Sequence, residues 1–264
     1  MSKIKKTFQA LQNIAQEPSL LNLVINDNES RKKEFLETYP HLKSLPQIDF
    51  TDLCENFDES VDLAFLDGGS LPTDLALLKT LAKGKNSYFE IGTWRGESVW
   101  NVAKIIEDCT TFNLSKEEIN ELGLDKRYAE LHGIISKKNP NILHLEGNSK
   151  TFDFKGLNKK YDLIFIDGDH SYEMVKNDTT KVFESLVHEN SVVVWHDYAF
   201  NPEKVRYEVF KGILDGLPKE FHSNLYHVAN TMCAVFTKEN FKTKEFEELK
   251  SPDFLFEVNL KIKK

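Results

Sequence analysis

Cysteine is scarce in this chain of 264 residues: Cys54, Cys109 and Cys233 are odd in number and far apart. That excludes a disulfide framework and the paired spacing of a zinc knuckle. No run approaches the roughly 18 consecutive apolar residues that a membrane helix requires. The N-terminal lysines Lys3, Lys5 and Lys6 have no apolar stretch behind them, so no secretory signal is expected, and the expected location is cytoplasmic. Basic charge is also lacking. Lys and Arg number 34 against 42 Asp and Glu, a net charge of −8, and no basic stripe suited to a nucleic-acid backbone appears. What remains is a chain long enough to bury a sizeable core and to act on a small molecule.

The most informative stretch runs from Tyr161 to Tyr198. Two apolar runs, Leu163 to Ile166 and Val192 to Trp195, each end abruptly in acids and histidines: Asp167-Gly168-Asp169-His170 and His196-Asp197. Between them Tyr172, Val175, Val182, Phe183 and Leu186 recur at helical spacing. A strand–helix–strand crossover brings the carboxyl ends of both strands to one sheet edge, where open α/β sheets bind ligands. Asp167, Asp169, His170, His196 and Asp197 are therefore expected to converge.

Around this unit the sequence alternates strand and helix. Ser87 to Gly92, Thr110 to Leu114 and Ile142 to Leu145 read as three earlier strands, and Pro72 opens the helix before them. Ser115-Lys116-Glu117-Glu118 is a capping box, and a helix is expected from about Lys126 to Lys137. Pro202 to Leu214 reads as a helix. Leu225 to Val228 and Met232 to Phe236 pair as a closing hairpin. The expected fold is a doubly wound α/β, mostly parallel seven-stranded sheet with an antiparallel closing hairpin. Residues 1–70 form a helical appendage with stripes at Ile4, Phe8, Leu11 and Ile14, at Leu20 to Val24, and at Phe50, Leu53, Phe57, Val61 and Phe65. Its use stays open among a lid, a homodimer surface and plain stability. Residues 71–240 form the core domain, and 241–264 a tail whose alternation of Phe254, Phe256, Val258, Leu260 and Ile262 predicts a strand.

Glu90-Ile91-Gly92-Thr93-Trp94-Arg95-Gly96 sits where the first core strand meets a helix, and glycines there let backbone amides approach a ligand. With Ser98 the stretch reads E-I-G-T-x-x-G-x-S, which resembles the first motif of the Rossmann-like S-adenosylmethionine-dependent methyltransferases. The resemblance implies that Glu90, Gly92, Thr93, Gly96 and Ser98 line the cofactor site. It places Asn113 where the superfamily has a ribose-binding acid, and Asn148-Ser149 near the adenine; a structural turn is the other reading of that pair. Arg95 meets the cofactor carboxylate or is an exposed turn residue.

The D-G-D-H and H-D-Y ends, over about residues 67 to 200, resemble the metal-dependent macrocin-type sugar and antibiotic O-methyltransferases. That likeness implies Asp167 and Asp197 as ligands of Mg²⁺ or Mn²⁺, with Asp167 also beside the cofactor, and His170 as general base. His196 stands where the macrolide members have an acid. It is either a ligand that shifts the preference toward Mn²⁺, Fe²⁺ or Zn²⁺, or an outer partner of the site. The implied reaction is methylation of a hydroxyl on a small acceptor such as a sugar or secondary metabolite, with no nucleic-acid or membrane partner. Two other readings compete. Asp167-Gly168-Asp169 is also the D-x-D of metal-dependent glycosyltransferases, and a non-catalytic protein can keep the fold and bind through an apolar surface near Phe8 to Val24.

Overall fold

The computed structural model describes residues 3–18, 20, 27–54, 56–66, 69–123, 126–249 and 251–263. The expected short helix at Leu20 to Val24 lies almost wholly outside these residues. Described helices are α1 (Lys3–Gln16), α2 (Asn28–Thr38), α3 (Phe50–Leu53), α4 (Pro72–Ala82), α5 (Glu97–Val102), α6 (Lys116–Glu121), α7 (Lys126–Leu131), α8 (Tyr172–Ser185) and α9 (Tyr207–Gly216). The strands are β1 (Gln47–Ile48), β2 (Ser87–Ile91), β3 (Asp108–Asn113), β4 (Ile142–Glu146), β5 (Leu163–Ile166), β6 (Val192–Trp195), β7 (Ala199–Asn201), β8 (Lys204–Val205), β9 (Leu225–Val228) and β10 (Ala234–Phe236).

One sheet dominates, in the order β1-β9-β10-β6-β5-β2-β3-β4. The run β6-β5-β2-β3-β4 is parallel throughout, and β10 is antiparallel to both β6 and β9. Chain order reverses between β2 and β5, which makes their carboxyl ends the switch point where a crevice opens.

Helices cover both faces, so β5 and β6 are apolar on every residue rather than on alternate ones. In β5, Leu163 and Phe165 enter one core with Leu75, Leu78, Val99 and Val102, while Ile164 and Ile166 enter the other with Val175, Val182, Phe210 and Ile213. Pro72 occupies the first turn of α4, where its missing N–H is no loss. The capping box forms: Glu118 N donates to Ser115 Oγ at 3.1 Å and Ser115 N to Glu118 Oε2 at 2.9 Å.

Four expectations are corrected. The sheet has eight strands, not seven, because Gln47–Ile48 adds to its edge parallel to β9. The N-terminal region is therefore not purely helical, and after α3 residues 56–66 run without a helix. Part of that region is firmly docked. Phe35 is fully buried and stacks on Phe210 at 4.6 Å, and Tyr39 Oη donates to Asp215 Oδ1 at 2.6 Å. Asn28 clamps the start of α9, donating to Val205 O and accepting from Tyr207 N. The helix expected from Pro202 begins only at Tyr207, because β7 and β8 form a small hairpin first. The helix expected to Lys137 ends at Leu131, and a short 3₁₀ turn, Ser136–Lys138, follows.

The fourth correction is the tail, which forms no strand among its described residues. Among the described residues the tail meets the ladder in one isolated bridge, where Gln47 and Lys244 exchange hydrogen bonds at 2.8 and 2.9 Å. Phe256 instead packs edge-on against Phe50 and Phe57, leaving Leu255, Leu260 and Ile262 exposed. In α1 the apolar stripe is equally uncovered, with Ile4, Phe8 and Leu11 exposed.

Candidate active site

The sheet's ladder continues one residue past each central strand, and this fixes the loops. Gly92 N donates to Phe112 O, Gly147 N to Asn113 O, Asp167 N to Ile91 O and His196 N to Ile166 O, all at 2.8–3.0 Å. The first residue of each loop is therefore held in register with its neighbours. Gly92 has φ +96°, and a Cβ there would stand 1.9 Å from Asp167 O. No side chain fits between the ends of β2 and β5. Gly96 (φ +83°) precedes α5, and a Cβ there would meet Ser136 Oγ at 2.0 Å.

At the end of β5 and β6 the expected convergence is present. His170 Nε2 lies 2.6 Å from Asp197 Oδ2 and 3.8 Å from Asp167 Oδ1. His196 Nδ1 lies 3.1 Å from Asp167 Oδ1 and 3.2 Å from Asp197 Oδ2. Asp197 holds a left-handed backbone (φ +55°), a conformation uncommon outside glycine and asparagine that recurs at functional turns. Ligand atoms of Asp167, His170 and Asp197 all lie within 4.8 Å of one another.

The charges in this cluster sustain each other. Burial alone raises a carboxyl pKa, but the His196 and His170 imidazoles more than reverse this, and Asp167 and Asp197 are held below the ordinary carboxylate range. Burial pulls the histidines down, yet the surrounding carboxylates lift His170 to about 9 and His196 well above its usual value.

Asp169 does not join the cluster. It is exposed, and its Oδ1 accepts from Ser171 N at 2.7 Å, at the entry to α8. The second acid of the D-x-D is thereby a turn residue that stands apart from the cluster.

The predicted cofactor residues divide. Thr93 and Asn113 line one cleft with Leu114, Leu145 and Glu146. Glu90 does not face it: the side chain is fully buried, accepting from Tyr88 Oη at 2.7 Å and Thr111 Oγ1 at 2.9 Å, and from Ser98. Thr93 Oγ1 lies 2.6 Å from Thr111 Oγ1. Direct ligand contact by Glu90 is thus corrected, since an enclosed carboxyl offers no surface, and Ser98 is committed to the same network. Asn148 Oδ1 accepts from Lys150 N at 2.9 Å, an Asx turn. Ser149 is buried and faces Asn177, whose Nδ2 lies 3.5 Å from its Oγ. Arg95 lies over the rings of Trp94 and Phe65, at 4.6 and 4.8 Å.

Two residues of the site escaped the sequence reading. Asp74 Oδ2 lies 3.1 Å from His196 Nε2, across 122 positions of chain. Its only local signal, an acid in the first turn of a helix, is common to helix starts. Arg206 Nη1 lies 3.8 Å from Asp197 Oδ1, and it stands between the β7–β8 hairpin and α9, in a stretch that had read as helix.

Residues 89–198 match the family model described as a methyltransferase domain, less than half of the chain. Among solved structures, DesVI of Streptomyces venezuelae is 15% identical over 48% of this chain and 49% of that one, with a TM-score of 0.34. The S-adenosylmethionine-bound CalS10 of Micromonospora echinaspora, an amino pentose methyltransferase involved in calicheamicin biosynthesis, is 12% identical over 50% of each chain, with a TM-score of 0.35. A Staphylococcus aureus protein provisionally described as a caffeoyl-CoA O-methyltransferase is 18% identical over 84% of this chain and 98% of that one, with a TM-score of 0.42. The chain spans about half the length of the first two, and at these scores the structural likenesses carry no argument of their own. A search of curated protein sequences finds no match. The match to the methyltransferase-domain model falls on the strands and turns that build the switch point.

Proposed function

We propose that the chain catalyses metal-assisted O-methylation of a small hydroxylated molecule such as a sugar or secondary metabolite. The observation that carries this reading is the meeting of Asp167, His170, His196 and Asp197 at the carboxyl ends of β5 and β6, beside the Gly92 turn. The donor set suits a divalent ion: His196 Nδ1 lies 3.1 and 3.2 Å from the carboxylates of Asp167 and Asp197, whose negative charge is met here by the imidazoles of His196 and His170. Asp167, Asp197 and His196 Nδ1 would hold the ion. When bound, S-adenosylmethionine supplies an electrophilic methyl group and a divalent ion lowers the pKa of the acceptor hydroxyl.

The chain's own residues do the rest. Gly92 lets the ends of β2 and β5 close on each other with no side chain between them, and Thr93 and Asn113 wall the adjoining cleft. His170, with 40% of its side chain exposed, is reachable by an acceptor; Asp197 holds its Nε2–H at 2.6 Å, so in the neutral form of the ring Nδ1 is the nitrogen that takes the hydroxyl proton. Asp197 then stabilises the imidazolium through the Nε2–H.

Isothermal titration with S-adenosylhomocysteine, alone and with Mg²⁺ or Mn²⁺, tests the reading. Micromolar binding that tightens with the ion is expected. Binding indifferent to every ion would leave the methyltransferase and remove the metal. Absence of binding under all conditions would sink both.

A further inference from the structure

The ring of His196 has two nitrogens, and something must decide which of them faces the site. We propose that Asp74 makes that choice: it is a positioning residue that holds the Nε2–H of His196 and so turns Nδ1 toward Asp167 and Asp197 as a ligand for a divalent ion. This role rests on the metal reading above.

Asp74 is fully buried on α4 and joins two distant segments to its own helix start through one carboxylate. Oδ2 accepts from Leu71 N at 2.7 Å and lies 3.1 Å from His196 Nε2. Oδ1 accepts from Met232 N at 2.8 Å and from Cys233 Sγ at 3.6 Å. An ionised carboxylate only accepts, so the ring nitrogen against it must carry the hydrogen. The opposite nitrogen points at Asp167 Oδ1 and Asp197 Oδ2, at 3.1 and 3.2 Å, and by the same rule it carries a hydrogen until an ion takes that place. Phe165 packs edge-on at 6.0 Å and limits rotation of the ring. A carboxylate behind a metal-binding histidine fixes its tautomer and raises its basicity, and its loss typically costs 10–100-fold in metal affinity.

A simple structural carboxylate would behave otherwise. Capping α4 accounts for the Leu71 bond and fastening the β9–β10 turn accounts for the Met232 bond. Neither explains an enclosed imidazole set between Asp74 and the two site acids. Asp74, His196 and Cys233 also lie close enough to form a metal cluster of their own. Each Asp74 oxygen, however, already takes a backbone N–H.

The test uses Mn²⁺ titration calorimetry on the wild type, Asp74→Asn, His196→Ala and the double variant. Asn presents an N–H to Nε2 and so favours the opposite tautomer. Asp74→Asn should weaken Mn²⁺ binding by roughly 10- to 100-fold, with S-adenosylhomocysteine affinity measured without metal kept within about twofold. The double variant should bind no more weakly than His196→Ala. Mn²⁺ affinity unchanged by Asp74→Asn, or additive losses in the double variant, would overturn the proposal while leaving the metal reading intact. A wild type that binds no divalent ion removes the metal reading and this role together. Should Asp74→Asn fail to fold, ¹⁵N-histidine NMR of the wild type with Zn²⁺ decides. The proton of His196 should stay on Nε2 as the ion binds, and a proton found on Nδ1 instead overturns the proposal.

Discussion

Two carboxyl groups stand at the ends of neighbouring strands, and the protein treats them in opposite ways. Glu90 on β2 pairs with Phe165 on β5, two residues before Asp167. Both are disfavoured as anions by burial. Around Glu90 that term prevails over the hydroxyls of Ser98, Tyr88 and Thr111, and its pKa rises to about 7. Around Asp167 the imidazoles of His196 and His170 prevail, and its pKa falls. Hydroxyls solvate a charge without neutralising it, whereas a cation compensates it outright. The contrast separates a carboxyl built into the sheet from one kept ionised for use.

The largest test of this contrast removes the ionised side. Asp167→Asn or Asp197→Asn should abolish divalent-ion binding and lower methyl transfer by more than about 100-fold, beyond the cost of losing an outer partner, as read by calorimetry and a transfer assay. His170→Ala should lower kcat by roughly 10²- to 10⁴-fold. Its S-adenosylhomocysteine binding should stay near wild type, and a kcat within threefold would remove His170 from the proton-transfer step. Gly92→Ala acts at the seam between the two strands. A Cβ 1.9 Å from Asp167 O forces the loops apart, with an expected loss of roughly 1–3 kcal/mol in denaturant unfolding and a weaker cofactor.

Glu90→Gln gives the smallest effect and the sharpest sign. Between pH 4.5 and about 7 the folded wild type holds a proton on Glu90 that the unfolded chain has released. The stability from that proton is present at the acid end and declines as pH rises through this window. The variant should lose this part of the slope, while the contribution of His170, which falls between its ordinary value near 6.5 and about 9, should remain.

How much of this was legible follows from where the information lay. Asp167, His170, His196 and Asp197 could be foreseen together because two apolar strands and one amphipathic helix fix their ends at the same sheet edge. Each is within four residues of a strand terminus. Asp74 could not, since its contact with His196 depends on how α4 packs across the sheet. Glu90 was found, but its role was not: its orientation into the sheet depends on Tyr88, Thr111 and Ser98 reaching the same point. The tail alternated like a strand, but pattern alone cannot supply a ladder partner.

The short strand β1 has a consequence for assembly. Together with Lys244 it occupies the outer edge of β9, so that margin presents little free backbone to a strand from elsewhere. At the opposite margin β4 is the terminal strand, with Leu143 exposed. The two flanks of the sheet are therefore unequal as templates, and a second copy joining by sheet extension would meet a ready ladder only at β4.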